Sequence, residues 1–460
     1  MEQSGTAWIA DDRRLQGEPF RAKRDSNPVQ IEVGLQRLVT VYIVTGLLFL
    51  LLPGTFLGVW NLVSISGRHS LAGLSPSWLQ AHGHAQIFGW IGTFIIGIGY
   101  YSLSKMGRLM PFAVSRGWAS WALWTGGVAL RWLANISEWN WRVLAPVSAA
   151  LQLSGFLIFF VTVRGHRSRP AQPTATVNPA PRRGMETWMK LVLGSTVAFL
   201  LALVMNLVVS IDLAMTSMHP AIPHWLDQRY LFLAAWGFPA LAVWGFSARW
   251  LPVFLGLREP SGGGLMGALS ACGCGIAAAL LGQFRLATVL LLGACVLAVI
   301  ALRVFQRSQK PPKTRGVTPA FPHFVRGAYA WLLVASSLGV YAAQSDSNGG
   351  IWGASRHALT VGFLATMVFS IGQRVLPAFC GMRLLFSTKL MFASLVVLNA
   401  GCLMRVGSEI PAYEANLRAA WSILPISAVT ELTAVTLFAV NLGITLVLPP
   451  PYPAVSTQTS

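Results

Sequence analysis

Acidic residues are scarce in this chain: Asp and Glu number 15 against 34 Lys and Arg, and all charged residues together make up 11% of 460 positions. So few charges cannot solvate the surface of a soluble protein of this length. Cysteine is sparse too. The five, at 272, 274, 295, 380 and 402, lie in or beside apolar runs, and none sits in a connection where an oxidising compartment would pair it, which argues against a disulfide framework. Cys272 and Cys274, two apart on a helix, point about 200° from one another, so they read as small-residue helix packing rather than a soft-metal site. No connection is long enough for a soluble catalytic domain, so any chemistry belongs within the apolar part or at its rim. A cleavable secretory signal is missing as well: the first 33 residues carry Arg13, Arg14, Arg21, Lys23 and Arg24 with no apolar stretch behind them.

What the chain has in excess is apolar surface. Hydrophobic residues make up 54% and the mean hydropathy is +0.58, which marks a membrane protein. Runs of about 20 apolar residues, the span of a bilayer core, begin near 36, 79, 113, 142, 187, 228, 264, 286, 324, 356, 386 and 418. They predict an all-α polytopic fold of about twelve transmembrane helices, weakest at the Gly- and Ala-rich segments 264–282 and 286–304. The bundle is expected over 34–448, between a cytoplasmic N-terminal tail, 1–33, and a polar C-terminal tail, 449–460. Basic residues crowd alternate connections (Lys105, Arg108 and Arg116; Arg164 to Arg183; Arg303 to Arg315). Glu138, Asp212, Asp227, Asp346, Glu409 and Glu414 fall in the opposite ones. This is the positive-inside pattern with both termini cytoplasmic. It accounts for much of the +19 charge and leaves no case for nucleic acid as a partner; the partner is membrane lipid.

A short motif recurs in three of the runs. His84-Ala85-Gln86-Ile87-Phe88-Gly89-Trp90-Ile91-Gly92-Thr93 matches the stretch from His357 to Thr366 without gaps at His, Ala, Gly and Thr, and Ile98-Gly99 falls on Ile371-Gly372. In the same register Arg249-Trp250-Leu251-Pro252 reads against Arg374-Val375-Leu376-Pro377, and Gly237-Phe238 falls on Gly362-Phe363. Four helices separate successive copies, so all three cross in the same direction. The prediction is a pseudo-three-fold arrangement of three four-helix units, roughly 34–163, 186–304 and 324–448.

Histidines collect around these three helices at the outer side: His82 and His84 at the start of helix two, His219 and His224 before helix six, and His357 at the start of helix ten. Imidazole inside a membrane is costly unless paired or ligated, and it is a common ligand for haem iron and copper. His82 and His84 point to opposite faces and suit two centres, or one ligand and one supporting partner. The register makes His84 and His357 the natural pair across the bundle. Phe232 stands where the third helix would carry its own histidine, so His224, His219 and the thioethers Met215 and Met218 are candidate loop donors of a kind that suits Cu(I). Arg356, with Arg405 and Arg418 in the expected outer loop before helix twelve, can pair with carboxylates such as haem propionates. Glu431, within helix twelve, is an intramembrane acid with no second acid expected to continue a proton path from it.

The segments His82-Gly83-His84-Ala85-Gln86-Ile87-Phe88-Gly89-Trp90 and Arg356-His357-Ala358-Leu359-Thr360-Val361-Gly362-Phe363, on a twelve-helix plan, resemble the NnrS family. These are haem- and copper-containing bacterial inner-membrane proteins of the nitric oxide response and denitrification. The plan also resembles subunit I of haem-copper oxidases. The resemblance implies b-type haem and copper as cofactors, nitric oxide or a related molecule as ligand, and an inner-membrane location. It also leaves open a role as an oxidoreductase related to cbb3-type oxidases or nitric oxide reductases, fed by a cytochrome or quinol. Helix seven lacks the histidine pair such an oxidase carries and helix ten has one histidine, so a complete dioxygen-reducing centre is not expected. A copper transporter using the loop donors is the remaining alternative.

Overall fold

The computed structural model describes residues 28–70, 73–106, 114–165 and 185–448. Residues 1–27 of the N-terminal tail, the C-terminal tail from 449, and most of the Pro-rich connection 164–186 lie outside the described residues, as do Arg108 and His166.

Four π-helical segments are each continuous with α-helix on both sides, so the helices of the described residues form twelve rods. These are α1 (28–68), α2 (76–106), α3 (Val114–Ser137), α4 (Trp141–Gly165), α5 (Thr187–Thr216), α6 (His224–Leu255), α7 (Gly262–Leu280), α8 (Phe284–Leu302), α9 (Phe321–Ser345), α10 (Gly350–Phe379), α11 (Thr388–Ala415) and α12 (Arg418–Val447). Every apolar run corresponds to one rod, including the short α7 and α8. Among the described residues, ten of the rods are long and apolar enough to cross a membrane. Lipid-facing stripes stay apolar: along α5, Val197, Leu201, Val204 and Val208 are all exposed at helical spacing. Neighbours within a unit pack backbone to backbone. Gly155 of α4 lies so close to α3 that a Cβ there would stand 2.9 Å from the Trp124 nitrogen, and Ser120 Oγ donates to the Gly155 carbonyl at 2.8 Å.

The repeat reappears in the backbone. Helix α2 widens into a π segment over Ala85–Gly92 and α10 over Ala358–Ala365, the same positions in the register that sets His84 on His357. In α6 the π segment Phe232–Ala240 corresponds to 357–365. A π turn shifts each hydrogen bond to i→i+5 and leaves carbonyls short of partners, which hydrocarbon cannot supply. Threonines at matched places fill that need. Thr93 Oγ1 donates to the Phe88 carbonyl and Thr366 Oγ1 to that of Val361. Each hydroxyl in turn accepts from the third helix of its unit, from Trp124 Nε1 at 2.9 Å and from Asn399 Nδ2 at 3.3 Å. In α6, where Leu241 replaces the threonine, Ser195 of α5 donates to the Phe238 carbonyl at 2.7 Å instead. The echoing threonine is thus a π-segment cap. Replacing Thr93 or Thr366 with valine should lower stability by about 1–2 kcal/mol each, measured by thermal unfolding, because the shape is kept while a buried acceptor loses its donor.

The three echoing helices, α2, α6 and α10, meet at the centre. A cavity of about 100 Å³ between them is lined only by α2, α6 and α10, and its walls come from equivalent positions: Phe94, Ala242 and Met367; Ile95, Val243 and Val368; Ile98, Phe246 and Ile371. These triads mark the pseudo-three-fold axis.

Candidate functional site

Two polar clusters lie inside the bundle, one on either side of α2, and they divide the histidine pair His82 and His84 between them.

The first cluster occupies the arc of α10, α11, α12, α1 and α2. Helix α1 carries a fourth π segment, Leu50–Phe56, with Pro53 inside it. The Gly54 carbonyl there, which also accepts the Leu57 N–H, lies 2.9 Å from His82 Nδ1. The imidazole lies against Gly58, where a Cβ would come within 2.6 Å of its Cε1. Across the arc, His357 Nδ1 is 3.0 Å from the Gly353 carbonyl and 3.3 Å from Glu409 Oε2. Glu409 Oε1 accepts from Arg405 Nη2 at 3.1 Å. His82 lies within electrostatic reach of His357 and Arg405. Both imidazoles are therefore oriented through Nδ1, which leaves Nε2 as the ligating nitrogen, the arrangement that metal-bound histidines adopt. Arg405 Nε and Nη1 and Glu431 Oε1 are buried without a hydrogen-bond partner. Glu431 itself is within reach of His357, Arg405 and Glu409, and Cys402 Sγ sits 3.9 Å from the His357 carbonyl.

Two readings from the sequence change here. Arg405 and Glu409, expected in an outer loop, are on α11 and only 7% and 4% exposed. The run of polar residues that suggested a loop is one face of a helix turned inward. Glu409 is consequently the second intramembrane acid that Glu431 seemed to lack.

The second cluster lies in the arc from α2 to α6. His84 Nε2 is 3.0 Å from Gln152 Oε1 of α4, and its ring stacks on Phe88 at 4.5 Å, which in turn stacks parallel to Tyr230 at 6.2 Å. Arg131 of α3 crosses to Ser210 of α5 at 2.9 Å. Asp227, in the first turn of α6 rather than in the preceding loop, stands within reach of Arg356, His224 and Arg131. Arg356 Nη2 donates to Gln228 Oε1.

The remaining expected donors are spread out. His219 pairs with Glu138 at 3.5 Å while 73% of its side chain is exposed. Met215 and Met218 are exposed, Arg142 reaches the Met218 sulfur at 4.0 Å, and His224 begins α6 on the surface. Arg418 is exposed at the first position of α12. Among the described residues no group of three or more His, Cys, Asp or Glu side chains is placed to hold a metal ion. The loop 217–223 is instead fixed by Gln80 of α2, which donates to the Ile222 carbonyl and accepts from its nitrogen, both at 2.8 Å. Neither Gln80 nor the Gly54 and Gly58 seat of His82 was flagged by sequence; the small residues of 53–58 beside a π segment were the available signal. Gly58→Ala should push the His82 ring aside and weaken whatever His82 ligates, read as a shifted absorption spectrum of the bound group at preserved fold.

Residues 256–442 match a family model described as a domain of unknown function, DUF8744. No curated protein matches. Among solved structures, the chain is similar to a haem-copper terminal oxidase dimer determined by cryo-EM, with a TM-score of 0.66 over 93% of this chain and 86% of that one, at 11% identity. The chain is thus an all-helical polytopic membrane protein with the fold of a haem-copper terminal oxidase.

Proposed function

We propose that this protein holds a b-type haem between α2 and α10, where His82 and His357 would be the residues that hold it. The observation that carries this reading is the shared orientation of the two imidazoles. Each is tied through Nδ1 to a backbone carbonyl, they stand on two central helices, and both face one arc. His84, the in-register partner of His357, has its Nε2 occupied by Gln152, which favours His82 as the partner. The orphaned nitrogens of Arg405 fit the carboxylates that a haem carries, and Glu409 fixes both Arg405 and His357.

Bound between two imidazoles, haem supplies a one-electron store. This chain would then contribute ligand orientation and a buried guanidinium for propionate charge. A haem held by two imidazoles would serve electron transfer, so the second reading, an electron-transfer subunit related to cbb3-type oxidases with a cytochrome or quinol donor, draws support from the same geometry. A role in the nitric oxide response at the bacterial inner membrane rests on the resemblance of the histidine segments to NnrS proteins, and requires nitric oxide to displace one imidazole. Copper at the outer loop is the weaker cofactor, because its donors are not gathered.

The test is an optical spectrum of the purified protein, oxidised and dithionite-reduced, with metal analysis, followed by nitric oxide addition. A low-spin, bis-imidazole spectrum supports the reading, and a new nitrosyl spectrum supports the nitric oxide role. A protein expressed with ample haem that shows no Soret band, with or without copper, sinks it.

A further inference from the structure

Between α3, α4, α5 and α6 several buried hydrogen-bond donors have no partner among the described residues. Arg131 is 3% exposed, makes its hydrogen bond to Ser210, and has no carboxylate within 4.0 Å among the described residues. Around it, Gln152 Nε2, Asn206 Nδ2 and the Tyr230 hydroxyl are buried with no partner. Their residues are 0%, 1% and 6% exposed. Asn206 lies one turn below Ser210 on the same face of α5, and Tyr230 is within electrostatic reach of Arg131. Two amide NH2 groups and a phenol are thus held inside a membrane without a partner, beside a guanidinium whose hydrogen bond goes to a neutral hydroxyl.

Orphaned donors of this kind are costly in a low-dielectric interior. Water could satisfy single donors. A buried guanidinium that lacks a close carboxylate calls for negative charge as well, and its planar fork together with the amides matches planar oxygens. We propose that this chamber binds a small planar monovalent oxyanion, of the nitrite and nitrate class, on Arg131, Gln152, Asn206 and Tyr230. One wall is the parallel stack of His84, Phe88 and Tyr230, and Asp227, beyond Arg131, limits the site to a single negative charge. The site is separate from the haem arc and does not depend on it.

The experiment follows thermal unfolding of the detergent-solubilised protein by tryptophan fluorescence while sodium nitrite, sodium nitrate or sodium formate is titrated at constant ionic strength against gluconate. A saturable rise in Tm with at least one of them, absent with gluconate, is expected. It should vanish in Arg131→Gln, and Gln152→Leu should weaken the midpoint by about tenfold. His357→Ala should leave it intact, so loss of haem and loss of the anion are read independently. No saturable rise in the wild type overturns the proposal, as does an unchanged titration in Arg131→Gln; water alone then fills the chamber. If Arg131→Gln does not fold, Gln152→Leu decides, an unchanged midpoint again counting against the site. If neither folds, the wild-type comparison with gluconate decides alone.

Discussion

His82→Ala and His357→Ala are each expected to abolish the Soret band of the purified protein, and His84→Ala to retain it with at most a small shift. This is the largest effect expected, because in the proposed arrangement each variant would leave one imidazole instead of two to hold the haem. The contrast within one motif is the point. His82 and His84 differ by two residues, yet their rings lie on opposite faces, against Gly58 and against Phe88. Loss of haem in His84→Ala with retention in His82→Ala would replace the proposed pair by His84 and His357. The measurement needs only equal protein concentration and a matched size-exclusion profile for the three variants.

Breaking the Arg405–Glu409 pair should cost nearly as much in another currency. Both side chains are under a tenth exposed, and removing one partner of a buried pair leaves a lone charge in a medium that cannot solvate it. Arg405→Leu is expected to destabilise the protein by about 3–5 kcal/mol, seen as a large drop in Tm in the haem-free protein. The double variant Arg405→Leu with Glu409→Leu should recover much of the loss, because two apolar side chains fill the space without an orphaned charge. If the double variant is no better than the single one, the pair is held by its packing rather than by mutual compensation, and the account of Glu409 as the anchor of both Arg405 and His357 fails.

Much of this architecture is legible in the chain, and the illegible parts share a cause. Apolar runs locate all twelve rods because bilayer thickness dictates their length, and the ungapped match of His84 to His357 gives the register in which the π segments later coincide. Hydropathy fails at α11, where Arg405, Glu409 and Pro411 interrupt the run; a helix that turns charges inward toward a polar arc looks like a loop to any average taken along the chain. The opposite aims of His82 and His84 follow from helix geometry, but which arc each one enters depends on α1 and α4, far away in sequence. The Gly54 carbonyl is invisible for a different reason: a π turn changes which backbone groups are paired, and no side-chain pattern records that.

The π segments also set a limit to the repeat. Each represents one residue more than a plain helix of the same span, and three of them sit at the same register in α2, α6 and α10, while α5 and α9, counterparts of α1, have none. The three central bulges thus belong to the repeat itself, whereas the one in α1, which presents the Gly54 carbonyl to His82, belongs to one unit alone and marks where the three-fold likeness of the units ends.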